Sequence, residues 1–142
     1  MGLNTNPVFT STPRVQGAIL SAGHVDMDGA NTTLLFTTGA NGSKIKRVEM
    51  RPTVTTGSDF AIRFFLKNGT DYFLVKEVIQ KAHTVATGTQ VPDLNPDTGL
   101  PQTYWLPDDL FLPSGTDLYV IVSVTIADVM VVAYGADLDA IS

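Results

Sequence analysis

Residues 59–67 read DFAIRFFLK and carry the clearest structural signal in the chain. Apolar side chains fall on one side of this segment, at Phe60, Ile62, Phe64 and Leu66. The other side carries Ala61, Arg63, Phe65 and Lys67. This period of two residues indicates a β-strand, because successive side chains of a strand point to opposite faces. The segment is therefore predicted to be a half-buried strand.

A hairpin is predicted immediately after this strand. Asn68-Gly69 is a strong signal for a tight turn, and it leads into a second apolar segment over residues 72–79. Strands joined by such a turn are antiparallel. Further segments typical of strands lie at residues 15–21, 32–37, 44–51, 102–106, 118–126 and 129–135. We expect Gly39-Ala40-Asn41-Gly42 and Ala127-Asp128 to close two more hairpins.

The spacing of these segments predicts the fold class. About eight short strands with regular turn signals, and no helical periodicity, indicate an all-β fold, an antiparallel two-sheet sandwich of the jelly-roll type. Residues 1–13 are predicted to form an extended N-terminal arm, and residues 14–142 a single sandwich domain. Residues 108–115 are expected to form a turn or short helical turn, and residues 83–101 a long loop.

Charge and composition exclude several classes of function. The 142 residues carry a net charge of −5 and no cysteine. This excludes disulfides and Cys-ligated zinc and argues against nucleic-acid binding. No apolar run reaches the roughly 20 residues of a membrane span, and the N-terminus lacks signal-peptide features. We therefore expect no membrane partner and synthesis in a cytoplasm.

The two signs of charge are unevenly distributed along the chain. Every Lys and Arg lies at or before Lys81, whereas the rest of the chain carries only acidic charges. Either neighbouring strands bring the two halves together so that the signs mix, or the particle is dipolar and its basic face meets an acidic face of a neighbour.

Few residues have the chemistry of a reactive site. His24 and His83 fall in predicted loops and are interpreted as solvated side chains. Residues 26–31 (DMDGAN) resemble the opening of a calcium loop, but an Asx-rich turn explains them better, because the later bidentate Glu is missing. Asp93 and Asp97 allow only a weak cation site.

Two further pairs of residues have simple structural interpretations. The adjacent Asp108 and Asp109 lack the separation of an acid/base pair. Tyr104 and Trp105 could form a sugar-stacking platform or belong to the core. We therefore predict no catalytic residue, metal or cofactor, and a protein that is not an enzyme.

The apolar last segments suggest self-association. Val120, Val122 and Val124 share one face, and Tyr119 and Ile121 share the other. Strands that are apolar on both faces are covered on both sides, here by another subunit or by the long loop. The candidates for self-association are Tyr119, Ile121, Met130, Val132 and Tyr134.

Three segments resemble small structural proteins of tailed bacteriophages. They are residues 35–45 (LFTTGANGSKI), residues 112–115 (LPSG) and residues 132–138 (VAYGADL). The likeness extends over residues 12–139 and is to head decoration, or cement, proteins. It implies an all-β module on the capsid exterior that binds the major capsid protein and forms an oligomer, often a trimer. No catalytic residues carry over.

The resulting hypothesis is a non-enzymatic virion protein that decorates the capsid exterior and stabilises contacts between capsomers. The candidates for contacting the shell are the arm and the basic strand, namely Val8, Phe9, Arg14, Lys44, Lys46, Arg47 and Arg51. One alternative is a phage structural module associated with the tail, baseplate or fibre. Another is a carbohydrate-binding module.

Overall fold

The computed structural model describes residues 10–24, 28–53, 55, 57–80, 82, 110–125 and 129–139. Within these ranges the chain forms eight strands and no helix. The strands are β1 (Thr10–Leu20), β2 (Thr33–Phe36), β3 (Ser43–Pro52), β4 (Phe60–Asn68), β5 (Asp71–Gln80), β6 (Leu110–Leu112), β7 (Thr116–Val122) and β8 (Val129–Leu138). In the described part of the chain, no helix is long and apolar enough to cross a membrane.

The strands form two four-stranded antiparallel sheets. Sheet A has the order β1-β8-β3-β6, and sheet B has the order β2-β7-β4-β5. In both sheets, strands from the first half of the chain (β1 to β4) alternate with strands from the second half (β5 to β8). This is the arrangement of an eight-stranded jelly roll. The predicted fold class is therefore confirmed.

The core lies between the two sheets and is made almost entirely of aliphatic and aromatic side chains. Sheet B contributes Phe36, Phe60, Ile62, Phe64 and Leu118, among others, and sheet A contributes Ile45, Val48, Val129, Val131 and Ala133. Because burial of one such large side chain contributes roughly 1.5–3 kcal/mol, this layer dominates the stability of the sandwich.

Strand β4 begins one residue into the segment DFAIRFFLK and ends at Asn68, and its predicted hairpin is confirmed. Phe60 faces Gln80 at one end of the β4–β5 pair, and Asn68 faces Asp71 at the turn. The prediction of a half-buried strand is wrong, because Ala61 and Phe65 on the second face are also buried. β4 lies between β7 and β5 in sheet B, so side chains of both neighbours lie beside its outer face; Tyr119 of β7, for example, is directly opposite Phe65.

Two other predicted hairpins are wrong. Residues 39–42 do form a tight turn, with the amide of Gly42 donating to the carbonyl of Gly39 at 3.1 Å. However, the turn joins β2 of sheet B to β3 of sheet A, and β7 and β8 also lie in different sheets. A turn signal specifies where the chain reverses, whereas the strand that pairs with the returning segment depends on burial of its apolar face.

Several strand boundaries differ from those predicted. β1 begins at Thr10, because Thr10, Thr12 and Pro13 pair with β8, so the last part of the predicted arm belongs to sheet A. Residues 110–112 form β6 instead of part of a turn, since Leu112 is buried and pairs with Ser43. The predicted loop at 83–101 and strand at 102–106 lie outside the described residues.

Candidate binding face

The outward side of β1 and β8 is apolar. On β1 the odd-numbered residues point outward, and Val15 and Ile19 are 62% and 66% exposed. Val15 pairs with Tyr134, Gly17 with Val132, and Ile19 with Met130. Directly opposite residues of an antiparallel pair point to the same face. These side chains therefore form one band, the apolar strip: Val15, Ile19, Met130, Val132 and Tyr134.

A charged row on β3 lies beside the apolar strip. Arg47 pairs with Tyr134, Glu49 with Val132, and Arg51 with Met130, so these three side chains point outward with the strip. The exposed Lys46 is the extra residue where the register of β3 shifts between Ile45 and Arg47. We call Lys44, Lys46, Arg47, Glu49 and Arg51 the cationic row; its formal charge is +3.

Contacts between the apolar strip and the cationic row hold the side chains of the row in place. The guanidinium carbon of Arg47 lies 4.2 Å from the ring centroid of Tyr134, and the Tyr134 hydroxyl donates to Glu49 Oε2 at 3.1 Å. Arg47 and Arg51 approach Glu49 at 3.4 Å and 4.0 Å. At the far edge of sheet A, Lys44 Nζ lies 5.5 Å from the ring centroid of Phe111, which is 60% exposed.

Two shallow concavities interrupt this face. The first has a volume of about 340 Å³, and its walls include Pro13, Val15, Lys44, Lys46 and Tyr134. The second, of about 280 Å³, lies over Gly17 between Ile19 and Met130. At Gly17 the missing side chain leaves a gap in the row of outward residues between Val15 and Ile19. The face can therefore accept protruding side chains of a partner.

Arg14, predicted to contact the shell, has a structural role at one end of the sandwich. Its Nη1 donates to Asp137 Oδ1 at 2.8 Å and to the carbonyl of Thr37, and its guanidinium lies over the ring of Phe36. Because Arg14 and Asp137 belong to sheet A and Thr37 follows β2, these bonds join the two sheets.

The turn at residues 37–43 completes this polar network. The amide of Gly39 donates to Ser43 Oγ at 2.9 Å, and the Ser43 hydroxyl donates to Asp137 Oδ1 at 2.7 Å. On the sheet B side, the amide of Thr38 donates to Asp117 Oδ1 at 2.9 Å. The motif LFTTGANGSKI is therefore explained, in this chain, by the bonds that hold one end of the sandwich together.

The electrostatics of the network centre on Asp137. Burial by itself would raise the pKa of its carboxyl group, but hydrogen bonds from Arg14 and Ser43, together with the charge of Arg14, outweigh burial and lower the pKa below 3.8. The Arg14–Asp137 pair joins the basic and acidic halves of the chain, so the two signs of charge mix at this position.

The predicted self-association residues do not form one patch. Tyr119 and Ile121 lie on the outer face of sheet B, whereas Met130, Val132 and Tyr134 lie on the outer face of sheet A. Ile121 is only 3% exposed, so it cannot contact another subunit without rearrangement.

Exposed apolar side chains also lie along β5 of sheet B, on both sides of the strand, because Phe73 pairs with Leu66 and Leu74 pairs with Phe65. Phe73 is 56% exposed, Leu74 and Val75 are each 40% exposed, and Ile79 is 38% exposed. In the described part of the chain, β5 pairs only with β4 and is therefore an edge strand. We call these four side chains, with the side of β5 that pairs with no described strand, the β5 edge.

The remaining candidates are only partly described. Asp28 accepts a hydrogen bond from the amide of Ala30 at 3.0 Å, as in an Asx turn. Within the described ranges, no group of three or more His, Cys, Asp or Glu side chains could hold a metal ion. Outside the described residues lie Val8, Phe9, Asp26, His83, Asp93, Asp97, Tyr104, Trp105, Asp108 and Asp109.

Sequence reasoning found the basic residues of the face but missed Val15 and Ile19. Their alternation around Gly17 is visible in the sequence and could have placed them on one side of a strand. Their importance follows only from the pairing of β1 with β8, which sets them beside Met130 and Tyr134.

Comparison with known proteins identifies no family. No family model matches the sequence, and no curated protein is significantly similar to it. A solved structure of Eiger TNF from S. frugiperda is similar to this chain with a TM-score of 0.43 and 10% identity, over 93% of this chain and 97% of that chain. Strand order and exposed surfaces define the chain as a jelly-roll β-sandwich with apolar surfaces on both sheets.

Proposed function

We propose that this chain is a non-enzymatic virion protein that decorates the outer shell of a phage head and stabilises contacts between capsomers. One observation carries the proposal: the sandwich exposes two separate apolar surfaces, the apolar strip on sheet A and the β5 edge on sheet B. A subunit that contacts both a shell and copies of itself needs two such surfaces. Contiguous exposed apolar surface on a folded domain is typical of an interaction site.

Such a protein would act by adding binding energy at many equivalent positions. A standard interface buries about 800 Å² per partner. When copies are linked in an oligomer, binding of the first copy raises the effective concentration of the others, so that modest contacts sum to a stable attachment. The two sheets supply a rigid frame for this role, because their buried apolar side chains form a single cluster, to which Leu20 and Ala133 belong.

We assign self-association to the β5 edge. An edge strand with exposed apolar side chains and unpaired backbone groups favours pairing with another chain. The resemblance to decoration proteins implies that the resulting oligomer is a trimer.

Replacing Val75 with lysine should dissociate the oligomer, because each interface would then bury a charge without a partner. Light scattering should give a mass of three chains for the wild type and one chain for the Val75→Lys variant. The matched control is Thr70→Lys, an exposed residue of the β4–β5 turn, which should keep the wild-type mass. A monomeric wild type, or an oligomer unaffected by Val75→Lys, would contradict the assignment.

Binding to the shell tests the function itself. The purified chain should co-sediment with heads of the phage that encodes it, and removal of residues 1–9 should abolish this binding while the melting temperature stays unchanged. The deletion ends at residue 9 because Thr10 already pairs with β8. Equal occupancy of heads by the shortened chain would reject a role for the arm, and failure of the full chain to bind heads would reject the proposal.

Microscopy separates the alternative functions. Gold-labelled antibody should decorate the heads of intact particles, whereas label on the tail would favour a tail, baseplate or fibre module. The carbohydrate-binding alternative depends on Tyr104 and Trp105, which lie outside the described residues.

A further inference from the structure

We propose that the outer face of sheet A binds a protein surface of the shell that is acidic and apolar, and that this face does not form a two-fold contact with a second copy of the chain. The partner would place carboxylates against the cationic row and an apolar side chain in the concavity of about 340 Å³. This inference rests on the proposed function, and it names the chemistry of the partner that the face recognises.

The distribution of charge supports an acidic partner. The cationic row carries +3 in a chain whose net charge is −5. The apolar strip beside the row contains no Asp, Glu, Lys, Arg or His. The face is therefore positive along the cationic row and neutral along the apolar strip, although the chain as a whole is negatively charged. Complementary potentials across an interface speed association and select the partner.

The same charges argue against a two-fold contact between two copies at this face. A two-fold contact between copies brings the same patch of each chain together. If the rows faced each other, two sets of like charge would meet. If each row faced the strip of the other copy, its charges would be buried against apolar side chains, which is costly without a counter-charge. Carboxylates on the partner avoid both penalties.

The side chains of the row are arranged to bind carboxylates. Arg47 and Arg51 share one carboxylate, that of Glu49, and their side chains are 44% and 49% exposed. A guanidinium can donate two parallel hydrogen bonds to a carboxylate. Tyr134 supports Arg47 from below at 4.2 Å, which limits the conformational freedom that Arg47 would lose on binding.

The larger concavity lies where the two halves of the face meet. Val15 and Tyr134 form its apolar side, and Lys44 and Lys46 form its charged side. A side chain inserted between them would be desolvated by the first pair, while a neighbouring carboxylate would reach the second. Buried anchors of this kind carry much of the energy of protein interfaces. A polyanion such as DNA would use the row but leave Val15 and Ile19 without apolar contacts.

The test uses two matched pairs of substitutions, assayed with phage heads. Lys46→Glu, on the face, is compared with Lys67→Glu, which makes the same charge change on the outer face of sheet B. Ile19→Ser, on the face, is compared with Leu34→Ser, on the edge strand β2. Both face variants should bind heads with an affinity at least about tenfold lower than that of the wild type. Both controls should bind as the wild type does. Lys46→Glu, Ile19→Ser and Leu34→Ser should keep the wild-type melting temperature within a few degrees. Lys67→Glu should melt lower, because it loses the contacts of Lys67 with the rings of Tyr72 and Tyr119 and places a carboxylate opposite Asp117.

The other outcomes are distinguishable. If the wild type binds heads and the face variants bind equally well, this inference fails and the proposed function stands. If the wild type does not bind heads, both fail together. A change of oligomer mass in Lys46→Glu would assign the face to a second copy. Binding of the wild type to duplex DNA or phosphatidylglycerol vesicles, lost in the same variants, would assign the face to a polyanion. Either assignment overturns the inference.

Discussion

Replacing Phe64 with alanine should lower the free energy of unfolding by about 3–5 kcal/mol. Phe64 is fully buried, belongs to the core cluster, and lies on β4 in the interior of sheet B. Removal of its ring loses apolar burial and leaves a cavity, because strands paired on both sides of β4 cannot move inward to fill the space. Chemical denaturation monitored by circular dichroism would measure the change.

The control for this prediction is Phe111→Ala. Phe111 is also a strand residue, but it is 60% exposed, and its described contact is with Lys44. Its replacement should lower the free energy of unfolding by no more than about 1 kcal/mol. Similar losses in the two variants would mean that the apolar layer between the sheets is not the main source of stability.

Replacing Asp137 with alanine should lower the free energy of unfolding by about 2–3 kcal/mol at neutral pH. The carboxylate accepts hydrogen bonds from Arg14 and from Ser43, and Ser43 is completely buried. Without Asp137, the Ser43 hydroxyl loses its acceptor and the Arg14 guanidinium loses its counter-charge. Asp139→Ala is the matched control, since Asp139 is exposed two residues further along the chain.

The effect of Asp137 should depend on pH in a defined direction. The pKa of Asp137 is lower in the folded chain than its ordinary value of 3.8. The ionised carboxylate therefore stabilises the fold fully above about pH 4, and this contribution is lost as the pH falls through the folded pKa. The difference in unfolding free energy between wild type and Asp137→Ala should be constant near neutrality and should shrink below pH 4. A difference that grows on acidification would contradict the ion pair.

A double-mutant cycle with Gly39 tests the same contact sterically. A Cβ atom at Gly39 would lie 2.6 Å from Asp137 Cγ. Gly39→Ala should therefore destabilise the wild type, and the cost should be smaller when Asp137 is already alanine. Equal costs in the two backgrounds would show that the two residues are not in contact.

The Phe64→Ala and Asp137→Ala variants separate two sources of stability. Phe64 acts through the layer that the sheets share, whereas Asp137 acts through bonds at one end, where the turn at residues 37–43 crosses between sheets. The larger effect is expected at Phe64, because apolar burial is unaffected by the water that reaches the partly exposed Arg14–Asp137 pair.

Part of the candidate face could be predicted from the sequence. The alternation of Arg47, Glu49 and Arg51 with Val48 and Met50 is a local pattern, so it places the charges on one side of a strand without knowledge of the fold. The same reasoning could not assign Arg14. Its charge suggested an exposed contact, but its position on the inward side of β1 places it against Asp137, 123 residues away in the chain.

By itself, the sequence determined the β class, the positions of most strands, the hairpin at Asn68-Gly69 and the side of β3 on which Arg47, Glu49 and Arg51 lie. These properties depend on neighbouring residues, through the period of two and the backbone preferences of turns. Only the tertiary structure decided that β1 pairs with β8, that the turn at residues 39–42 crosses between sheets, and that the apolar strip and the cationic row share one face. Those outcomes depend on which distant strands bury each other's apolar sides. The pairing adopted is the one that gives the whole core the lowest free energy, and no local pattern specifies it.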